Sequence, residues 1–190
     1  KNLYLQYKKE MIKYLVEFIG TFMFLSVILS QGQALPIVIA LAAAIFFGGS
    51  ISGGHFNPAV SFVQWLQRSI SAAQLLVYVA AQTAGAIAGA ILANVMFNTP
   101  ALQIAQQQRV NPGVLVAEVV ATAGLIVVIG VLSARKQGNL IPVAVATFIG
   151  SAYFFTSSTS FANPAVTVGR IFSNTFAGIA PEIGRASCRE

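Results

Sequence analysis

The chain has 190 residues, of which 56% are hydrophobic and only 8% are charged. Soluble domains carry about a quarter charged residues, so this composition excludes a water-soluble globular protein. The formal net charge of +6 does not indicate a nucleic-acid-binding protein, because the basic residues lie near the ends of apolar stretches, as they do on the cytoplasmic loops of membrane proteins.

Apolar stretches follow one another along the chain. They cover residues 11–30, 34–51, 72–97, 113–134 and 140–155. A membrane-spanning helix needs ~20 apolar residues, and three of the stretches reach that length easily, whereas the second and fifth are short. The pattern predicts an all-α integral membrane protein with five spans in contact with the lipid bilayer.

The positions of the basic residues predict the topology. Basic residues stand before the first span, after the second and between the fourth and fifth, at Lys8, Lys9, Lys13, Arg68, Arg135 and Lys136. The long connection at residues 98–111 contains only Arg109. Because cytoplasmic loops collect Lys and Arg, we expect a multi-pass protein of the plasma or inner membrane with a cytoplasmic N-terminus.

One polar tripeptide occurs twice. Asn-Pro-Ala stands at Asn57, Pro58 and Ala59 and again 106 residues later, at Asn163, Pro164 and Ala165. Other features repeat near that spacing, namely Glu17 and Thr21 with Glu118 and Thr122, and Pro36 with Pro142. The chain therefore consists of two copies of one unit, and such repeats indicate the architecture.

The repeat is predicted to be inverted. Each unit has an odd number of spans, so the second enters the bilayer from the opposite side. Glycines 48, 49, 53 and 54 interrupt the second apolar stretch, and the Ser/Thr run 156–160 interrupts the fifth. Interrupted segments at matching positions of inverted repeats indicate the functional site of a transporter.

Each tripeptide is predicted to begin a short half-helix. Asparagine is a good N-cap and proline is favoured in the first helical turn. Residues 59–66 and 165–172 are too short to span a membrane. Their N-termini are expected to meet near the midplane, where each carries roughly half a positive charge and the Asn amides can donate to a passing oxygen.

This inverted pair of motifs resembles the aquaporins, or major intrinsic proteins. The resemblance rests on the runs SGGHFNPAV and NPAV and on the Glu in the first and fourth spans, and it covers residues 11 to about 181. It implies six spans, two re-entrant half-helices and a homotetramer with one pore per subunit. Five spans precede residue 181, so the resemblance predicts a missing sixth span.

Both ends of the chain are predicted to lie outside this channel domain. Residues 182–190 read EIGRASCRE, which resembles the translation of a common sequencing adapter. Residues 1–10 precede Met11, a natural start, and are interpreted as translated upstream sequence. The only cysteine, Cys188, lies in the tail, so no redox or metal role is inferred from it.

Three polar residues support the predicted pore. Glu17 and Glu118 are intramembrane acids, which are often functional, so a proton relay stays open as an alternative. The resemblance implies instead that they brace the re-entrant loops by hydrogen bonding, and that His55 packs beside the first loop and lines the pore. One histidine does not make a metal site, and we expect no metal or other cofactor.

The residue after the second motif is unusual for this family. In its water channels that residue is usually arginine, whereas here it is Val166. By the family's spacing, the other positions of the selectivity filter fall at Ile37 (alternatively Val38), Ser151 (alternatively Gly150) and Ser160. The side chains of this filter, which would form the outer mouth of the pore, are smaller and less polar than those of a strict water channel.

The sequence therefore predicts a passive, bacterial-type channel for water and small neutral solutes, such as glycerol, urea or metalloid hydroxides such as arsenite. It contains no nucleotide-binding loop or catalytic triad, so we expect neither an enzyme nor a nucleic-acid partner. The alternatives are a coupled secondary transporter, which also uses inverted repeats and broken helices, a strict water channel, and a closed adhesive member of the family without flux.

Overall fold

The computed structural model describes residues 2–109 and 111–181 of the chain. All regular secondary structure in these two ranges is helical, comprising α1 (Asn2–Gln31), α2 (Ala34–Gly49), α3 (Pro58–Leu66), α4 (Ala72–Met96), α5 (Pro112–Ala134), α6 (Ile141–Phe155) and α7 (Pro164–Gly169). Short 3-10 turns precede α6 and follow α7. The predicted adapter-derived tail, with Cys188, lies outside the described residues.

The long helices coincide with the predicted spans. Within the described chain, four segments are long and apolar enough to cross a membrane: Tyr4–Ser30, Ala72–Met96, Pro112–Ala134 and Gly138–Phe155. Helix α2 has 16 residues and is about 24 Å long at 1.5 Å per residue. Residues 50–57, the first re-entrant segment, follow α2 and lead into α3. Helix and segment together reach deep into the bundle.

Helix α1 begins well before the predicted span. The segment that precedes Met11 is helical and continuous with it. The last residue before Met11 is Glu10. Its carboxylate accepts hydrogen bonds from Lys13 Nζ at 2.7 Å and from Gln74 Nε2 at 2.8 Å. The N-terminal parts of α1 and α4 are therefore joined by polar side chains.

Helices α1 and α4 pack along each other at very short range. A Cβ on Gly85 would lie 2.3 Å from the carbonyl oxygen of Phe18, and one on Gly89 would lie 2.4 Å from that of Phe22. The Ser26 hydroxyl donates to the Gly89 carbonyl at 3.1 Å. Small residues at four-residue spacing let membrane helices approach this closely, so the sequence run GAIAG is a packing surface.

The helices of the two repeats pack against one another. Helix α2 contacts α1 and α6, α6 contacts α5, and α7 lies against α4. The buried core is formed by the inward faces of these helices, while α5 exposes an apolar outer face that includes Leu115, Val116, Val119, Val120 and Val127. An exposed apolar helix face is expected where a helix contacts lipid or another membrane helix.

The glycine contact predicts a test of the packing. We expect Gly85→Ala to lower the stability of the protein by about 1–3 kcal/mol, because overpacking forces two backbones apart. Gly130→Ala is the matched control, since nothing lies within 4 Å of a Cβ built there. Thermal unfolding in detergent measures both, and equal unfolding temperatures for the two variants would contradict the close packing.

Candidate functional site

The first re-entrant segment joins α2 to α3 and is held by one buried carboxylate. Glu17 Oε1 accepts from the backbone N–H of His55 at 3.0 Å, and Oε2 accepts from that of Phe56 at 2.6 Å. The same carboxylate accepts from Ser52 Oγ at 2.6 Å and from Gln82 Nε2 at 2.7 Å. Four donors therefore surround a side chain that is fully buried.

The second re-entrant segment, between α6 and α7, repeats this arrangement. Glu118 Oε1 accepts from the N–H of Phe161 at 2.9 Å, and Oε2 accepts from that of Ala162 at 2.7 Å. Non-helical backbone at membrane depth must find hydrogen-bond partners within the protein. Both glutamates supply such partners to the backbone just before an Asn-Pro-Ala motif.

The two segments share an unusual backbone path. Gly53 and Gly54 have φ values of 93° and 61°, and the residues 106 positions later, Thr159 and Ser160, have 60° and 53°. Glycine adopts this region freely, but a β-branched residue there is a genuine outlier. The Ser160 N–H is held by the hydroxyls of Thr156 and Ser158 at 2.8 and 3.2 Å, so the Ser/Thr run fixes this strained turn.

The two asparagines bind the opposite repeat. Asn57 Nδ2 donates to the carbonyl of Ala162 at 2.6 Å, and Asn163 Nδ2 donates to that of Phe56 at 2.8 Å. Each Oδ1 caps its own half-helix, at Ala59 N (2.9 Å) and Ala165 N (3.1 Å). Since a carboxamide has two N–H donors, one donor of each asparagine has no partner among the described residues.

An inner cavity of about 250 Å³ reaches this asparagine pair. Its walls are mostly apolar, from α1, α2, α5 and α6, whereas the re-entrant segments contribute polar groups, including His55, Asn57 and Asn163. Gln64 and Ser133 line it near the predicted cytoplasmic side. The cavity therefore has one polar wall and several apolar walls. This lining suits solutes that need few hydrogen bonds.

A smaller outer cavity, of about 80 Å³, lies beyond the asparagines. Phe24, Ile149 and Phe161 line both cavities, so these three residues mark the boundary between the two. Three predicted filter residues, Ile37, Ser160 and Val166, line the outer cavity.

The fourth predicted filter residue lies elsewhere. Ser151 is exposed, its hydroxyl donates to the Thr147 carbonyl at 2.9 Å, and it does not line the outer cavity. Gly150, the alternative position, lines it instead. Gly150 stood beside Ser151 as an alternative because the family's spacing fixes this position only to within one residue, and one residue turns a helical side chain by about 100°.

His55 lies in a network that the sequence analysis missed. Its Nδ1 is 3.0 Å from Ser61 Oγ, and Ser61 Oγ accepts a hydrogen bond from Gln82 Nε2 at 3.0 Å. Tyr78 donates its hydroxyl to the Ser52 carbonyl at 2.7 Å. A glutamine in the middle of an apolar span is itself a signal, because intramembrane polar residues are rare and functional, and this signal would have identified Gln82.

Asn94, which was also not predicted, joins the connection after α4 to the chain after α7. Its Nδ2 donates to the carbonyls of Ala101 and Phe172 at 3.0 and 2.9 Å, and its Oδ1 accepts from Ser173 Oγ at 2.8 Å. The connection after α4 is thereby fastened to the chain that follows α7. This junction carries Arg109 and Arg170, and both line the outer cavity.

The carboxylate of Glu17 is expected to be indispensable to the fold of the first re-entrant segment. Glu17→Gln replaces an acceptor oxygen by a donor and leaves a buried N–H or hydroxyl unpaired, which costs about 1–3 kcal/mol. Glu10→Gln is the control, since Glu10 is partly exposed and such pairs contribute about 0–1 kcal/mol. Thermal unfolding measures the difference, and equal losses would contradict this role of Glu17.

Known proteins resemble this chain in sequence and in fold. A family model described as Major intrinsic protein matches residues 4–179. Aquaglyceroporin AqpS of Rhizobium meliloti (strain 1021) is 46% identical over 133 residues, which are 70% of this chain and 57% of that protein. A probable aquaporin TIP-type of Medicago truncatula is 32% identical over 184 residues, covering 82% of this chain and 72% of that protein.

A solved structure shares the fold. The aquaglyceroporin from Plasmodium falciparum superposes with a TM-score of 0.64 at 21% identity, covering 84% of this chain and 79% of that one. The chain spans 57% and 40% of the lengths of two bacterial relatives that it matches. With two half-helices meeting at their asparagines and a family match over nearly its whole length, the chain belongs to the major intrinsic protein family.

Proposed function

We propose that the whole protein is a passive, bidirectional membrane channel for water and small neutral solutes. The observation that carries this proposal is the pair of cavities separated near Asn57 and Asn163, each lined by groups from both repeats. A solute that moves from one cavity to the other passes the N-termini of two half-helices. Each end carries roughly half a positive charge, which opposes the passage of cations, including protons.

The bracing contacts weigh against a coupled transporter. A proton-coupled mechanism would need an acid at the midplane that exchanges protons with the pore. Glu17 and Glu118 each accept two backbone N–H bonds from the re-entrant segments, so protonation would break the contacts that hold the pore in place. Solute flux that is independent of a pH gradient supports the channel, and flux driven by the gradient contradicts it.

The outer mouth supports passage of solutes larger than water. Val166 replaces the family's usual arginine, Ile37 is aliphatic and Gly150 adds no side chain at all. We infer that glycerol, urea and metalloid hydroxides such as arsenite are within the size range. The names aquaglyceroporin and glycerol uptake facilitator among the relatives agree with solutes of this class.

The assembly and location follow from the family and the basic residues. We propose a homotetramer in the plasma or inner membrane with a cytoplasmic N-terminus. Gln64 and Ser133 line the inner cavity and are close in sequence to Arg68 and Arg135, which mark the side that the positive-inside rule assigns to the cytoplasm.

A substitution at the mouth tests the proposed solute range. Val166 is buried, and Val166→Arg would place a long, always ionised side chain in the small outer cavity. We expect glycerol and arsenite flux to fall at least tenfold and water flux to fall by less, because the added side chain narrows the mouth. Stopped-flow swelling of proteoliposomes containing the whole channel measures each solute.

Val166→Leu is the matched control, because it adds bulk without charge. It should reduce glycerol flux by less than the arginine variant does. Equal reductions of water and glycerol flux in Val166→Arg, or a wild-type channel that passes water alone, would contradict the proposed role of Val166 and favour a strict water channel.

The asparagine pair predicts a second functional effect. Asn163→Asp removes the donor that binds the Phe56 carbonyl and adds a negative charge at the half-helix N-terminus, where it offsets the field that excludes cations. We expect lower neutral flux together with a measurable cation leak in proteoliposomes. Unchanged solute flux without ion current would contradict the proposed meeting of the two half-helices at the barrier.

A further inference from the structure

Helix α7 places an arginine directly beyond the valine of the mouth. The backbone N–H of Arg170 bonds to the carbonyl of Val166, so the two residues lie one turn apart on the same face. Both side chains line the outer cavity. Val166 stands where the family usually has arginine. Arg170, one helical turn later, therefore brings a guanidinium group close to that position.

The Arg170 side chain is held in a fixed position. It is only 5% exposed, which is rare for arginine. Its guanidinium carbon lies 3.9 Å from the centre of the Phe161 ring, a cation–π contact, and its Nε donates to the Ala177 carbonyl. Phe161 is in turn fixed through its own N–H to Glu118, so the positive charge stays next to the boundary between the cavities.

Arg170 keeps donors for a solute. Of its side-chain nitrogens, only Nε has an acceptor among the residues that the structure describes, and arginine has five N–H donors in all. The Ser160 hydroxyl, which belongs to the same cavity wall, is buried and has no partner in the described part of the chain. The outer cavity thus has both donors and a hydroxyl that a hydroxylated solute can satisfy.

A second arginine reaches the same cavity from the connection after α4. Arg109 Nε donates to the Gly178 carbonyl at 3.2 Å, and its Nη2 donates to the Phe176 carbonyl. These contacts fasten it to the chain that follows α7, and Arg109 lines the outer cavity with Arg170. Two fixed positive charges from different segments therefore border one small cavity.

We propose that Arg170, assisted by Arg109, determines specificity at the outer mouth by supplying the charge and hydrogen-bond donors that Val166 lacks. The inference rests on the proposed channel function and adds the residues that select solutes. Because Arg170 lies one turn beyond Val166, the mouth is apolar at the valine and cationic beyond it. Such a mouth admits neutral, hydroxylated or amide-bearing solutes and rejects cations of the same size.

Urea and the guanidinium ion test this directly, since they have the same planar shape and differ in charge. The measurements are urea swelling and guanidinium current in proteoliposomes containing the whole channel. We expect Arg170→Gln to raise the ratio of guanidinium to urea permeability about tenfold, because a unit charge a few Å from the permeating ion has an effect of at least this size. Arg170→Lys, which keeps the charge, should restore cation rejection.

The controls separate charge from structural support. Arg135→Gln alters an exposed arginine at the end of α5 and should leave the ratio within twofold of wild type. A purely structural role of Arg170 would make lysine as harmful as glutamine, and this result would overturn the proposal. An unchanged ratio in Arg170→Gln would also overturn it.

Two further outcomes are decisive. If Arg170→Gln fails to fold, Arg109→Gln serves as the second variant, and we expect its guanidinium current to rise about threefold; no rise would overturn the proposal. If the wild type passes water but no urea or glycerol, the proposed solute range is contradicted and a strict water channel is favoured. The guanidinium current of the arginine variants still decides separately whether these residues reject cations.

Discussion

The need to hydrogen-bond non-helical backbone inside a membrane controls the rest of this structure. Each repeat breaks its second helix and sends a short segment back toward the centre, where water cannot satisfy exposed N–H groups. One buried carboxylate in each repeat accepts two of them, Glu17 for the first segment and Glu118 for the second. These two acids are thus structural acceptors at the depth where a transporter would place its proton carriers.

The two repeats are joined where their asparagines exchange hydrogen bonds. Asn57 donates to the carbonyl of Ala162, and Asn163 donates to that of Phe56. Both carbonyls belong to residues with φ near 45°, at 42° and 47°, so the strained positions are those that present an oxygen to the other repeat. Strain of this kind persists where the surrounding contacts fix it, and here the carboxylate on one side and the carboxamide on the other do so.

The outer mouth depends on parts of the chain that are far apart in sequence. Val166 and Arg170 come from the second half-helix, Ile37 from α2, Gly150 from α6 and Arg109 from the connection after α4. Asn94 fastens that connection to the segment that follows α7. The lining of this cavity therefore depends on how the segments are joined, and a substitution in the connection can alter it without touching either Asn-Pro-Ala motif.

The membrane class, the inverted repeat, the half-helix starts and the asparagine pair could be predicted from the amino-acid sequence, because each follows from composition, periodicity or the conformational preferences of Asn and Pro. The family's spacing predicted Ile37, Ser151, Ser160 and Val166 at the mouth, with Gly150 as the alternative to Ser151, because residue counting cannot fix the rotation of a helix to within one residue. The sequence analysis did not identify Gln82 or Asn94. Their partners lie 65 and 78 residues away in the chain, and only tertiary packing decides which buried polar groups meet.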